Sequence, residues 1–160
     1  MTRQVKVGGV TVGGGAEVRV QSMTTTPTSD TEATIAQIVR LAQAGCEIVR
    51  VAVRDEGDAR AIRAVWDGSP IPLVADIHFS SKLAVLAIEN GADKVRINPG
   101  NIGAEPDIRR VADCIRAHGI PVRVGANTGS IEKNFLEKYG RSAKALVESA
   151  LYNVGILEKL

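Results

Sequence analysis

Cysteine is scarce in this sequence. Cys46 and Cys114 stand far apart, and neither has a second Cys beside it at metal-ligand spacing. Between them they cannot build an iron–sulfur site, because such clusters want about four ligands, mostly thiolates. Cys46 falls where a helix gives way to a strand and Cys114 lies inside an amphipathic helix, so both read as small buried hydrophobes. Aromatics are scarce as well, at 3% of residues, although the total hydrophobic content of 44% is ordinary for a globular protein. A dominant charge is missing too. A net charge of +2 gives no bulk attraction to nucleic acid or to a membrane surface, so any electrostatic argument has to be local. Long apolar runs are absent, which removes a membrane-spanning helix as an expectation. The opening residues Met1-Thr2-Arg3-Gln4-Val5-Lys6 lack the apolar centre of a signal peptide, which gives the expectation of a cytoplasmic protein.

What is present is a series of short apolar runs separated by helical patterns. Gln4-Val5-Lys6-Val7 and Val10-Thr11-Val12 flank Gly8-Gly9, which predicts a β-hairpin over about residues 3–12. Strands are then expected at Glu17–Met23, Glu47–Val53, Pro72–His78, Asp93–Asn98 and Pro121–Ala126. Helical periodicity follows each of them. The first helix is expected to open on the capping-box spacing of Ser29 and Glu32 and to stop at Gly45. A second runs from about Gly57 to Trp66 and a third from about Ser81 to Asn90. A fourth carries Pro106 in its first turn and ends at Gly119, and a last one runs from about Ser142 to Leu160. Strand starts about 21–29 residues apart fit right-handed crossovers in a parallel sheet.

Two architectures compete for such a pattern, an open doubly wound sheet and a TIM barrel. No Gly-x-Gly-x-x-Gly follows the first strand, which weakens a dinucleotide site. Side chains alternate faces along a strand, and a polar residue recurs at matching parity on every strand. These are Arg19 and Gln21; Arg50, with Arg54 beyond it; Asp76 and His78; Lys94, Arg96 and Asn98; and Arg123 with Asn127. In an open sheet both faces pack on helices and such residues would be stranded in a core. In a barrel one face can line a pocket. The expected fold is therefore α/β of the TIM-barrel type: an N-terminal hairpin followed by five β–α units of an incomplete (β/α)8 barrel. As five units cannot close that barrel, the expectation is a partial barrel over residues 1–160, truncated from a longer protein.

The inward parity gathers several guanidiniums against essentially one carboxylate. Unpaired buried charge is costly, and the planar fork of arginine suits phosphate oxygens, so the set predicts a phosphorylated small ligand at the C-terminal mouth. Asn98, Asn127 and Ser130, with the Gly-rich loops 99–103 and 125–129, can add neutral donors around the same anion. The competing reading pairs these arginines with carboxylates near strand ends such as Glu17, Glu47 and Asp93, and Arg19 is the most exposed to it. Asp76 and His78 could likewise cap the following helix. Lys133 reads as a solvated loop lysine.

Val20-Gln21-Ser22-Met23-Thr24, Val49-Arg50-Val51-Ala52-Val53, Leu73-Val74-Ala75-Asp76-Ile77-His78-Phe79, the run from Lys94 to Gly103, and Val122-Arg123-Val124-Gly125-Ala126-Asn127 resemble the N-terminal barrel of the 4-hydroxy-3-methylbut-2-enyl diphosphate synthase family. The likeness runs in order along practically the whole chain. It implies an oxidoreductase of the methylerythritol phosphate route to isoprenoids, which converts 2-C-methyl-D-erythritol 2,4-cyclodiphosphate by two-electron reductive dehydration. It also implies a [4Fe–4S] cluster held by Cys and Glu side chains of a separate C-terminal domain, a head-to-tail homodimer, and ferredoxin or flavodoxin as electron donor. Carried over by motif, Arg50, Arg96 and Arg123 are expected diphosphate ligands, with Asp76, His78, Asn98, Asn127 and Ser130 around the substrate. Asp76 and His78 are also the catalytic candidates. No cluster-ligand motif is present in this sequence, so no metal ligand is expected in this chain, and on its own it is expected to bind substrate without turning it over. Two other classes compete: a pterin- or aldolase-type barrel acting on a phosphate ester without redox chemistry, and a non-catalytic half-barrel remnant.

Overall fold

The computed structural model describes residues 2–160; Met1 lies outside the described residues. Chain order gives β1 (Val5–Val7), β2 (Val10–Val12), β3 (Gln21–Met23), α1 (Thr31–Gln43), β4 (Ile48–Val53), α2 (Glu56–Gly68) and β5 (Leu73–Ile77). There follow α3 (Ser81–Glu89), β6 (Lys94–Ile97), a 3-10 turn (Pro99–Asn101), α4 (Glu105–His118), β7 (Val122–Val124), α5 (Lys133–Tyr139) and α6 (Ala143–Lys159). Strands β1 and β2 pair antiparallel, with Gly8 at φ +54 in the turn that joins them. The other five strands form one parallel sheet in the order β3-β4-β5-β6-β7. That order decides between the two architectures. A doubly wound sheet reverses direction at a switch point, whereas here each strand is added beside the last, as in a barrel wall. The wall does not close: β3 and β7 remain its two edges.

The two faces of the wall are written differently. Val49, Val51 and Val53 of β4, Leu73, Ala75 and Ile77 of β5, and Val95 and Ile97 of β6 join Ile38, Ile62, Val65, Leu83, Ile88 and Val111 of the helices in the main core. Most of these are completely buried, and truncating one such as Ile62 to Ala is expected to cost about 2–5 kcal/mol. On the opposite face Ile48 and Val74 pack only against Val7 of the hairpin, with Val10 and Val12 beside them. The hairpin therefore seals the N-terminal end of the concave face. Above that seal the same parity continues into Arg50, Asp76 and Arg96.

Local details depart from expectation where side chains found other partners. The first strand of the sheet is only Gln21–Met23 instead of Glu17–Met23. Val18 is 96% and Val20 56% exposed, because β3 is an edge and Glu47 takes the Val20 N–H at 2.9 Å. The cap of α1 is Asp30 and not Ser29: the Asp30 carboxylate accepts the Ala33 N–H at 3.1 Å, while the Ser29 N–H goes to Asp58. Helix α2 extends a turn either side of its apolar stripe, from Glu56 to Gly68, because Asp55 accepts the Asp58 N–H at 2.9 Å and caps it. Cys46 is buried as expected, but Cys114 is only half-buried.

Candidate functional site

Strand register builds the site in two rungs. The lower rung aligns Met23, Arg50, Val74 and Lys94 across β3 to β6. The upper rung aligns Ala52, Asp76, Arg96 and Arg123 across β4 to β7. Residues at matching positions of neighbouring parallel strands share a face, and residues two apart on one strand share it as well. Hence Arg50, Asp76, Lys94, Arg96 and Arg123 all belong to the concave face.

Asp76 is the hub. It is 4% exposed, and its two oxygens take different arginines: Arg50 Nε at 3.3 Å and Arg96 Nη1 at 3.0 Å. The Arg50 guanidinium leans on the Met23 sulfur, with Nε and Nη2 each 3.2 Å from Sδ. One carboxylate neutralises one of the two arginines that grip it. Lys94 sits a rung below, and its pKa is held under the ordinary lysine value by burial first, then by repulsion from Arg123 and Arg50. Arg123 is exposed and makes no ion pair among the described residues. The face is therefore cation-rich. Its guanidinium N–H groups can donate to the oxygens of an anion with bidentate geometry.

The C-terminal ends of the strands close around this face. His78, Arg96, Asn98 and Asn127 line one cavity of about 130 Å³ with Ile77, Phe79, Asn101 and Ile102. Asn98 is buried, and its carbonyl accepts the Asn101 N–H at 2.9 Å, which folds the 3-10 turn over the mouth. Asn127 and Ser130 shape a loop: Asn127 Oδ1 accepts the Gly129 N–H at 3.0 Å, and Ser130 Oγ donates to the Asn127 carbonyl at 3.2 Å. Asp76 and His78 do not cap α3, whose N-cap residue is Ser80. The Asp76 carboxylate contacts Arg50 and Arg96, while the His78 ring lies 5.9 Å from that of Phe79.

Two arginines of the sequence pattern lie elsewhere. Arg19 binds Glu47 at 2.7 Å and approaches Glu17 at 3.6 Å, the strand-end pairing that competed with a ligand role. Arg54 turns to Asp58, which is buried at the start of α2, at 3.4 Å. Lys133 is exposed, 3.8 Å from Glu137. Three features escaped sequence reasoning. Met23 cushions the Arg50 guanidinium across the β3–β4 register, a contact that no single strand encodes. Phe79 adopts φ +58 while 75% exposed, a conformation that costs a bulky residue about 1–3 kcal/mol and has no sequence signal. Gly125 belongs to a Gly-rich loop in the sequence, yet the space a side chain would take there is filled by the Arg96 guanidinium.

Residues 2–160 match the GcpE TIM-barrel domain family. The chain is 58% identical over 160 residues to the 4-hydroxy-3-methylbut-2-en-1-yl diphosphate synthase (flavodoxin) of Bacillus subtilis (strain 168), an alignment covering 99% of this chain and 42% of that protein. It is 57% identical to the protein of the same name from Macrococcus caseolyticus (strain JCSC5402), over 99% of this chain and 43% of that one. The chain thus spans less than half the length of the curated relatives it matches. Among solved structures, an uncharacterized B. cereus protein superposes with a TM-score of 0.45 at 15% identity, covering 88% of this chain and 45% of that one, too low a likeness to carry an argument.

Proposed function

Because the chain belongs to the GcpE TIM-barrel domain family, we propose that it is the substrate-binding barrel portion of a 4-hydroxy-3-methylbut-2-enyl diphosphate synthase. Its ligand in this reading is 2-C-methyl-D-erythritol 2,4-cyclodiphosphate, which the whole enzyme opens by two-electron reductive dehydration. The observation that carries the reading is the cation surplus on the concave face, where Asp76 grips Arg50 and Arg96 while Arg123, in register beside them, makes no ion pair among the described residues. A cyclic diphosphate supplies the negative charge that this arrangement lacks. Arg50, Arg96 and Arg123 would hold its phosphate oxygens, and Asp76 keeps two of these guanidiniums aimed. His78, Asn98, Asn127 and Ser130 would contact the remainder of the ligand, with His78 placed to donate a proton or hydrogen bond to an oxygen at the mouth.

A [4Fe–4S] cluster would supply the electrons, and the residues of this chain do not fit one. Among the described residues no three His, Cys, Asp or Glu side chains gather as a metal site. The Cys46 thiol is buried, with Sγ 3.1 Å from the Ile48 carbonyl oxygen, and Cys114 lies on α4 beside His118. What this chain does in the reaction is bind, orient and exclude water. The cluster ligands would belong to the length of its relatives that it does not span. On the same footing the unit runs over residues 1–160 with residues 3–12 as its sealing hairpin, works in the cytoplasm and pairs head to tail with a second subunit. Its electrons would come from flavodoxin, the donor printed in its relatives' names, with ferredoxin as the alternative.

Isothermal titration of the chain with the cyclodiphosphate tests the proposal. Arg96→Ala and Arg123→Ala are each expected to weaken binding by about ten- to a hundredfold, since a hydrogen bond to a charged group is worth about 1.5–3 kcal/mol. Binding that survives both substitutions unchanged would contradict the arginine clamp.

A further inference from the structure

The third strand pair of the site contains a glycine whose backbone has no need of one. Gly125 follows β7, and it is absent from the positive-φ residues that favour glycine. Its N–H donates to the Ile97 carbonyl at 2.7 Å, which fixes it in register beside β6. What it lacks is space: a Cβ built on its Cα would collide with Arg96 Nε and stand 2.5 Å from both Cζ and Nη2. The guanidinium of Arg96 thus occupies the space that a side chain at position 125 would need. Its far side is held by Asp76, through Nη1 at 3.0 Å. The head of Arg96 is thus set between a carboxylate on β5 and a bare Cα on β7.

We propose that Gly125 is a positioning residue for anion binding, its missing side chain forming the slot that seats the Arg96 guanidinium in the phosphate site. The inference rests on the phosphate reading of this face and names a residue that reading does not use. The atoms that a Cβ would strike are the end of a flexible side chain and not backbone, so the chain need not unfold to admit one. What must move is Arg96. Once displaced, the guanidinium loses its alignment with Asp76, and Asp76 is left gripping Arg50 alone. A small misplacement of a bidentate clamp weakens recognition steeply, because both N–H bonds depend on one plane. The slot also accounts for arginine over lysine at position 96: a planar fork suits a slot beside a strand, whereas a lysine ammonium has no plane to seat.

The test pairs Gly125→Ala with Arg96→Lys and reads two signals in the chain itself: the ¹⁵Nε–H resonance of Arg96, and calorimetric affinity for inorganic pyrophosphate and for the cyclodiphosphate. In the unsubstituted chain the Arg96 resonance is expected to be slow to exchange. In Gly125→Ala it is expected to shift and exchange rapidly, with pyrophosphate affinity down about tenfold or more. In the Arg96→Lys background the same alanine is expected to cost less than about twofold, since the slot then seats nothing that a methyl can displace. An unmoved Arg96 resonance in Gly125→Ala overturns the proposal, and so does an equal loss of affinity in both backgrounds. Should Gly125→Ala fail to fold, the double variant decides: it folds if the guanidinium is the obstacle, and its failure would place the need for glycine in the backbone and overturn the slot. If the unsubstituted chain binds neither anion while the Arg96 resonance still moves in Gly125→Ala, the phosphate reading falls and the slot stands.

Discussion

Two arginine–carboxylate contacts sit on this sheet, and they have opposite meanings. At the rim near the sealing hairpin, Arg19 meets Glu47 at 2.7 Å, with side chains 28% and 34% exposed and Glu17 close by. That cluster holds at least as much negative as positive charge, and water reaches it. On the concave face Asp76, its side chain 6% exposed, holds both Arg50 and Arg96, with Lys94 and Arg123 added, and among the described residues neither of these two is ion-paired to a carboxylate. The first contact is complete in itself. The second is a surplus of positive charge arranged on a wall of the sheet, and it is this surplus that the proposed anion would offset. Arginines of like parity in the sequence can therefore be structural or ligand-binding, and the local charge count separates them.

Removing the carboxylate at each place should break the comparison most visibly. Asp76→Ala leaves Arg50 and Arg96 without the carboxylate that they share. Breaking a buried ion pair on one side costs about 3–5 kcal/mol. Because Arg50 and Arg96 keep 26% and 23% exposure, the expected loss is smaller, about 2–3 kcal/mol in urea unfolding. Added pyrophosphate should recover part of it, by binding the folded state alone. Equal destabilisation with and without pyrophosphate would mean that the surplus has no bearing on anions.

Lys94 sharpens the contrast through pH. Its pKa lies below the ordinary 10.5, through burial first and through Arg123 and Arg50 next. In the window between that lowered value and 10.5 the unfolded chain keeps the proton that the folded chain has released, so stability rises with pH across it. Anion binding works the other way. A bound diphosphate favours charged Lys94, so affinity should decline as pH climbs through the lowered pKa, and binding should take up protons there. Calorimetry in two buffers of different ionisation enthalpy measures that uptake. Lys94→Met should abolish it and slightly raise the thermal midpoint, since it removes a charge repelled by Arg123 and Arg50. Arg3 and Glu158 line the cavity that Lys94 and Arg123 share, so uptake that persists in Lys94→Met would pass the effect to another group.

The wall of the barrel was legible in the sequence because buried parallel strands read as apolar runs at helix-spaced intervals, and Val51, Leu73 and Val95 sit where such runs place them. The shared face of Arg50, Asp76, Arg96 and Arg123 was legible for a similar reason, since parity survives any error of one or two residues in strand length. Contacts across strands were not. That Asp76 faces arginines depends on the register of β5 against β4 and β6, which no single strand encodes. Arg19 belongs to the same parity and still left the site, because Glu47 lies one strand over at the same height. Phe79 and Gly125 were hidden for a further reason: one is a strained backbone and the other a missing atom, and neither alters a hydrophobic pattern.

The smallest effect is expected at the rim, and its smallness is the prediction. Glu47 has its pKa lowered by the Val20 N–H first and by Arg19 next. Its contribution is therefore present above the ordinary 4.5 and fades as pH falls through the depressed value. The carboxylate is solvent-exposed and screened, so the effect should be a slight steepening of acid unfolding that added salt removes. Arg19→Ala should change stability little, as is usual for a solvent-screened pair, and should leave pyrophosphate affinity as it was. If instead Arg19→Ala weakened the anion as Arg96→Ala does, the rim and the concave face would form one electrostatic unit. The charge count around each carboxylate would then no longer tell a structural arginine from a binding one.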